Sequence, residues 1–388
     1  MQRGRSGVGQ YVLALTRALL PLAHRHEFTL FVLEEDRPLL AFAEPAMRIV
    51  EVPEPFRSPL ADIGWHQTLL PAWARRLGLD VLHVPSYRRM LWRQPCALVA
   101  TIHDLAPFHL QNKYSAARMF YGRVVARRLA ARQHRVIAVS ETTARDLTRY
   151  FNLPRQRVTV IPNGLDHDRF QPGPAEAAKA VVATRNGVDR PFFLYVARLE
   201  HPAKNHLRLI EAFNRFKAET CSPWQLVLGG SDWHGAEVIH AAVAQSPYAR
   251  DICCPGFVSD ADLPIWYRAA DVFVYPSLFE GFGMPPLEAM ACGCPVISSG
   301  AGALAEVVGD AAVVIDPLKP AALVRELGRL AADPAARAEL RRVGSARARR
   351  FSWRTNAEAT VQVYAEACSP SRGTLFFPAR APAHLPPP

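Results

Sequence analysis

Three observations predict an α/β fold of two doubly wound domains, each a parallel sheet covered by helices. Short β-branched runs alternate with helical patterns along most of the chain. The alternation comes as two series, parted by a Pro/Gly-rich stretch. The 388 residues suit two domains better than one, and 49% hydrophobic against 21% charged residues lets both bury a core.

The first element is a helix, because Val8, Tyr11, Val12, Leu15 and Leu19 recur at helical spacing and Pro21 ends the run. Arg3 and Arg5 give this start a superficial likeness to a secretion signal, but no small-x-small cleavage site follows. Strands are predicted at Phe28–Leu33, Met47–Val52, Asp80–Val84, Ala97–His103, Arg135–Ser140 and Arg157–Ile161. Helices are predicted between them at Trp65–Leu77, Lys113–Gln133 and Glu141–Phe151. The second series has strands at Phe192–Val196, Gln225–Gly229, Asp251–Pro255, Asp271–Tyr275, Pro295–Ser298 and Ala312–Ile315. Residues 171–190 carry Pro172, Gly173 and Pro174 and read as a linker between domains at 1–170 and 191–352. A crossover helix at 353–367 follows. Residues 368–388 are Pro-rich, have neither period, and are expected to be disordered.

Gly7-Val8-Gly9 opens a helix as the glycine-rich turn of a dinucleotide-type domain does, yet only polar residues precede it. The strand that belongs at the centre of that sheet is therefore expected to be missing. Its absence would leave roughly 10 Å between strands that normally sit ~4.8 Å apart. The sequence is expected to begin about six to ten residues late.

Composition excludes several classes. No apolar run approaches the ~20 residues of a membrane span, and neither a coiled-coil nor a collagen repeat is present. The net charge of +11 is unevenly placed: residues 1–160 carry 23 Lys+Arg against 12 Asp+Glu, and residues 161–388 carry 23 of each. A basic half attracts phosphorylated substrates, anionic lipid or nucleic acid. No nucleic-acid recognition motif accompanies the charge, so nucleic acid is not an expected partner. The seven cysteines form no CxxC pair and no zinc spacing, which reads as reduced thiols in a cytoplasmic protein. No metal site is expected.

The densest chemistry is Ser277-Leu-Phe-Glu280-Gly-Phe-Gly283-Met-Pro-Pro-Leu-Glu288, at the carboxyl edge of a predicted strand, where open α/β sheets bind ligands. Gly281 and Gly283 permit close backbone approach, and Pro285 and Pro286 suit a first helical turn, whose amides and dipole favour an anion. Glu280 and Glu288 can each accept hydrogen bonds from vicinal hydroxyls. Singly, they read equally well as loop charge and dipole complement; beside the glycines and prolines they favour a ligand. A glycosidase acid/base pair is the alternative, but nothing in the sequence raises one carboxyl's pKa and the anion cradle would go unused. A second cluster, Arg198 and Lys204 in Tyr195-Val-Ala-Arg-Leu-Glu-His-Pro-Ala-Lys-Asn-His, also follows a strand and can hold a diphosphate as charge develops on it.

Together these residues resemble the retaining glycosyltransferases of family 4. The E-x7-E element is Glu280…Glu288, the cationic pair is Arg198 and Lys204, and Gly256-Phe-Val-Ser-Asp-Ala-Asp-Leu263 is similar to the loop beside the nucleotide base. Thr101-Ile-His103-Asp104, Ile161-Pro-Asn-Gly164 and Ser6-Gly7-Val8-Gly9 are similar to signatures of the first domain. The resemblance implies a GT-B fold, two Rossmann-like domains facing across a cleft, and transfer of a hexose with retention from a nucleotide diphosphate sugar, without metal or cofactor. It implies that Glu280 holds donor-sugar hydroxyls with Gly281, Phe282 and the Gly283 and Met284 amides, at a helix start set by Pro285. Glu288 would bind the ribose and Val258 the base through its backbone. Arg198 and Lys204 would stabilise the leaving diphosphate, with Gly7 and the Gly9 amide approaching from the facing domain, and His103 would line the sugar pocket. Pro85-Ser-Tyr-Arg-Arg89 and Phe282-Gly-Met-Pro-Pro look most like bacterial polysaccharide mannosyltransferases, which favours GDP-mannose.

Arg118, Arg123, Arg127, Arg128 and Arg132 lie in an acid-free stretch with interleaved apolar residues. They are expected either to attach the protein peripherally to the anionic inner face of a membrane, near a saccharide or lipid-linked acceptor, or simply to form a solvated helix face. Two other functions stay open: a nucleotide-sugar-binding protein without transfer, which a missing strand would favour, and an epimerase on the same fold.

Overall fold

In the computed structural model, residues 6–110 and 119–369 are described. All twelve predicted strands form, each within two residues of its expected ends: β1 (Thr29–Leu33), β2 (Arg48–Val52), β3 (Val81–Val84), β4 (Ala97–Ile102), β5 (Arg135–Ala138), β6 (Val158–Val160), β7 (Phe192–Val196), β8 (Gln225–Gly229), β9 (Ile252–Gly256), β10 (Val272–Tyr275), β11 (Val296–Ser299) and β12 (Val313–Ile315). Every pairing between them is parallel.

The second domain is one six-stranded sheet in the order β12-β11-β10-β7-β8-β9. Numbered within the domain this is 6-5-4-1-2-3, the dinucleotide-binding order, whose direction reverses between its strands 1 and 4. Here those strands are β7 and β10, so the crevice for a ligand opens at their carboxyl ends. Both strands read as continuous apolar runs because helices cover both faces, and Phe193, Leu194, Val272, Phe273 and Val274 are wholly buried.

The first domain differs. Its strands form a β3-β4-β5-β6 sheet and a separate β1-β2 pair, with no ladder between β1 and β3 among the described residues. Apolar side chains cross the division all the same: Phe31 and Leu33 pack with Leu82, Val84 and Trp65 in one cluster.

Two expectations are corrected. The predicted Trp65–Leu77 helix is two helices, Pro59–Gln67 and Leu69–Arg76, because Pro71 has no N–H for the Gln67 carbonyl and its ring crowds that carbonyl. The expected linker holds the helix Ala175–Asn186, which buries Ala178 and Val182 in the second domain's core. Its Pro/Gly signal marks a helix start. The opening helix forms as expected, running Gly7–Leu19, and the Ser6 hydroxyl caps it by accepting from the Gly9 N–H at 3.0 Å.

Of the predicted Lys113–Gln133 helix, residues 113–118 lie outside the described residues. The remainder forms a wide π turn, Tyr121–Ala126, followed by Arg127–Ala130. The crossover helix is Trp353–Cys368, and it returns to the first domain, where Val363 and Ala367 pack with Val99 and Ile137. Residues 370–388 of the expected tail lie outside the described residues. No described helix is long and apolar enough to cross a membrane.

Candidate active site

Glu280 and Lys204 meet at the switch point. Lys204 follows β7, Glu280 follows β10, and the ammonium lies 2.5 Å from Glu280 Oε1. The same oxygen accepts from the Tyr275 hydroxyl at 3.0 Å and the Ser277 hydroxyl at 2.7 Å. Three donors thus fix Oε1, while among the described residues Oε2 takes no hydrogen bond. Burial pushes the Glu280 carboxyl up, but Lys204 and the two hydroxyls outweigh it and hold it below its ordinary range. Burial likewise opposes the Lys204 charge, and Glu280 reverses the balance and raises it. The pair is ionised at neutral pH, with a fixed carboxylate presenting one oxygen to a ligand.

Glu288 sits one helical turn into Met284–Ala291 and accepts from the Tyr267 hydroxyl at 2.9 Å. Its carboxyl is pushed up to about 7, chiefly by burial, which Tyr267 and Arg169 only partly offset. Gly283 caps this helix at φ +105°, a left-handed conformation that favours glycine. Pro285 and Pro286 have no N–H, so the first turn's donors come from Gly283, Met284 and Leu287.

Arg198 is exposed. Its guanidinium stacks 4.7 Å from the Trp233 ring centre, with Glu200 4.0 Å away. The Val258 side chain packs inward over Gly229, and among the described residues nothing hydrogen-bonds its backbone, as a base contact requires.

Several expected roles change. A Cβ on Gly281 would lie 1.8 Å from the His103 carbonyl, and the Gly281 carbonyl accepts from the Ser140 hydroxyl at 2.9 Å. Gly281 is small for contact between domains rather than for a ligand. The Phe282 side chain is buried, edge-on to Phe351 at 5.8 Å, so only its backbone can face the donor. The Gly9 amide already serves the Ser6 cap and is not free to approach a diphosphate, while Gly7 is exposed at the helix start. His103 donates from Nε2 to the Pro85 carbonyl at 3.2 Å, lies edge-on to Tyr11, and is kept neutral by burial. Its carbonyl accepts from the Thr143 hydroxyl at 3.4 Å and lies against Gly281, which leaves Nδ1 for a sugar.

On the basic helix Arg123, Arg127 and Arg128 are exposed over buried Gly122, Ala126, Leu129 and Ala130. Arg132 is not part of that free face: it donates to the Trp92 carbonyl and stacks on the Trp92 ring at 4.7 Å. Arg118 lies outside the described residues. No cluster that could hold a metal occurs among the described residues.

Two family models cover most of the chain: Glycosyltransferase Family 4 over residues 5–169 and Glycosyl transferases group 1 over residues 179–350. The chain is a family 4 glycosyltransferase. It is 31% identical over 294 residues to the O-antigen chain mannosyltransferase B of Escherichia coli, covering 76% of each chain. It is 30% identical over 394 residues to the D-inositol 3-phosphate glycosyltransferase of Xylanimonas cellulosilytica, covering 93% of this chain and 92% of that one. Its fold is that of Anabaena HepE, whose structure is in complex with UDP and glucose: TM-score 0.73, 21% identity, 93% and 96% coverage. The glycosyltransferase therefore has the GT-B architecture that its sequence implied.

The structure also brings in residues without a predicted role. Tyr275 and Ser277 hold Glu280, Tyr267 holds Glu288, and Trp233 carries Arg198. Glu306 of the second domain accepts from the Glu141 and Thr142 N–H groups of the first, at 2.8 and 3.1 Å. Phe279 stacks on His109 across the same boundary at 4.2 Å, and His109 is paired with Asp146 at 2.6 Å.

Proposed function

We propose that this glycosyltransferase moves a hexose, with mannose the favoured sugar and GDP-mannose the favoured donor, to a hydroxyl of a saccharide or lipid-linked saccharide. The observation that carries this reading is the half-used carboxylate of Glu280, locked through Oε1 and open at Oε2, beside a helix start at the β7/β10 switch point. The name of the E. coli relative supports mannose. The name of the Xylanimonas relative makes a phosphorylated polyol acceptor the alternative, which a basic first domain would also suit.

In this reading Glu280 Oε2 accepts from donor-sugar hydroxyls, and the Gly283 and Met284 amides help to orient them. Glu288 accepts from the ribose hydroxyls, and the Val258 backbone meets the base. Lys204 and Arg198 face the diphosphate and gain most as its bridging oxygen takes up charge, which lowers the barrier rather than only tightening binding. Substitution on the same face of the sugar gives retention, with the leaving phosphate oxygen taking the acceptor's proton. Two cations and a helix N-terminus supply the positive charge that a metal would otherwise bring. The exposed Arg123, Arg127 and Arg128 hold the first domain near an anionic membrane surface.

The test is release of nucleoside diphosphate from GDP-mannose and UDP-glucose, with chelator present and Glu280→Ala as control. Chelator-insensitive turnover of GDP-mannose, lowered roughly ten- to a hundredfold in the variant, is expected. Turnover that needs a divalent ion, or that stays at the wild-type rate in Glu280→Ala, contradicts the reading.

A further inference from the structure

We infer that Trp233 is a positioning residue for the Arg198 guanidinium, a role that rests on the reading of Arg198 as a diphosphate contact. The two residues lie on loops that follow neighbouring strands, β7 and β8, and the main chain ties those loops together. Leu199 N–H donates to Ser231 at 2.9 Å, Trp233 N–H to Leu199 at 3.1 Å, and His201 N–H to His234 at 3.0 Å. Gly230 allows this approach, since a Cβ there would lie 1.9 Å from the Ala197 carbonyl. Asp232, beside the tryptophan, is held in turn by His240 at 2.8 Å.

On this frame Trp233 keeps 56% of its surface in water, unusual for so large an apolar residue, and its ring face lies against the guanidinium at 4.7 Å. Attraction to the ring face holds the cation through its charge and uses none of its N–H donors, which leaves them for phosphate oxygens. The long, exposed Arg198 side chain is thereby held over the ring, with the Glu200 carboxylate 4.0 Å from it. The arrangement differs from that of Lys204, which is fixed by Glu280 itself.

The test is calorimetric titration of the purified full chain with GDP and with UDP, in wild type, Arg198→Ala, Trp233→Ala, Trp233→Phe and the double alanine variant. Arg198→Ala is expected to weaken the tighter nucleotide by roughly tenfold or more, and Trp233→Ala by roughly three- to tenfold. The double variant should bind no more weakly than Arg198→Ala alone. Trp233→Phe, which keeps a ring face, should stay within about twofold of wild type, and thermal midpoints should not move. Two results overturn the proposal: Trp233→Ala binding like wild type while Arg198→Ala is weakened, or the Trp233 effect persisting in full without Arg198. If folded wild type binds neither nucleotide, or Arg198→Ala binds as well as wild type, the reading of the donor site fails first and Trp233 has no cation to position.

Discussion

At the scale of single residues the site depends on how three hydroxyls divide two carboxylates. Removing Glu280 deletes a charged hydrogen-bond partner worth ~1.5–3 kcal/mol, so Glu280→Ala should lower turnover roughly ten- to a hundredfold. It should also leave Lys204 buried without its anion. Tyr275→Phe should have a smaller effect, because Ser277 and Lys204 still fix Oε1. Glu288 makes the pH prediction. Its folded carboxyl is raised from 4.5 to about 7, so the folded state holds the extra proton in that interval. Stability from this group is full below 4.5 and is lost as pH rises towards 7. Donor affinity should move the other way, improving through pH 7 as the carboxylate forms, and both trends should vanish in Glu288→Gln. Melting curves and donor KM across pH check them. Glu280 and Glu288 were legible in the sequence because their spacing sits on a strand–loop–helix junction. Tyr267, Tyr275 and Ser277 were not, since which hydroxyl points at which carboxylate is decided by packing.

At the scale of elements, the helix Glu141–Phe151 of the first domain is clasped by the second. Glu306 accepts from its first two N–H groups, the Thr142 hydroxyl reaches the Gly302 carbonyl at 3.3 Å, and the Ser140 hydroxyl reaches Gly281 in the donor loop. A carboxylate at a helix N-terminus is favoured by charge and by hydrogen bonding together. Glu306→Ala should therefore weaken the interdomain contact by about 1.5–3 kcal/mol. It should lower the melting temperature and raise the donor KM, while Glu306→Gln, which keeps one acceptor oxygen, recovers part of each. The strands were readable because parallel sheets buried on both faces need continuous β-branched and aromatic runs, as Phe192–Val196 shows. The helix Ala175–Asn186 was not, because its apolar face is only Ala178 and Val182 and a Pro/Gly cluster precedes it.

At the scale of the whole molecule, the charge asymmetry read from the sequence falls between the two domains. The electroneutral half carries Glu280, Glu288, Arg198 and Lys204; the basic half presents Arg123, Arg127 and Arg128 on one face. Substituting these three by Ala should abolish co-sedimentation with vesicles containing anionic lipid and leave GDP affinity unchanged; vesicle binding that ignores lipid charge contradicts the membrane role. The cleft between the halves was foreseeable only as a fold-level consequence. The contact of Gly281 with His103 across it depends on how the sheets of the two domains meet, which no local pattern encodes. The central claim, that the β7/β10 switch point holds a nucleotide sugar through Glu280 and Glu288, is tested most directly by calorimetry. GDP-mannose, UDP-glucose, UDP-N-acetylglucosamine, GDP and UDP would be titrated into wild type and Glu288→Ala. Selective binding of one nucleotide series, GDP-mannose by preference, that is lost in the variant is the predicted result. Equal binding by the variant, or none by folded wild type, would contradict it.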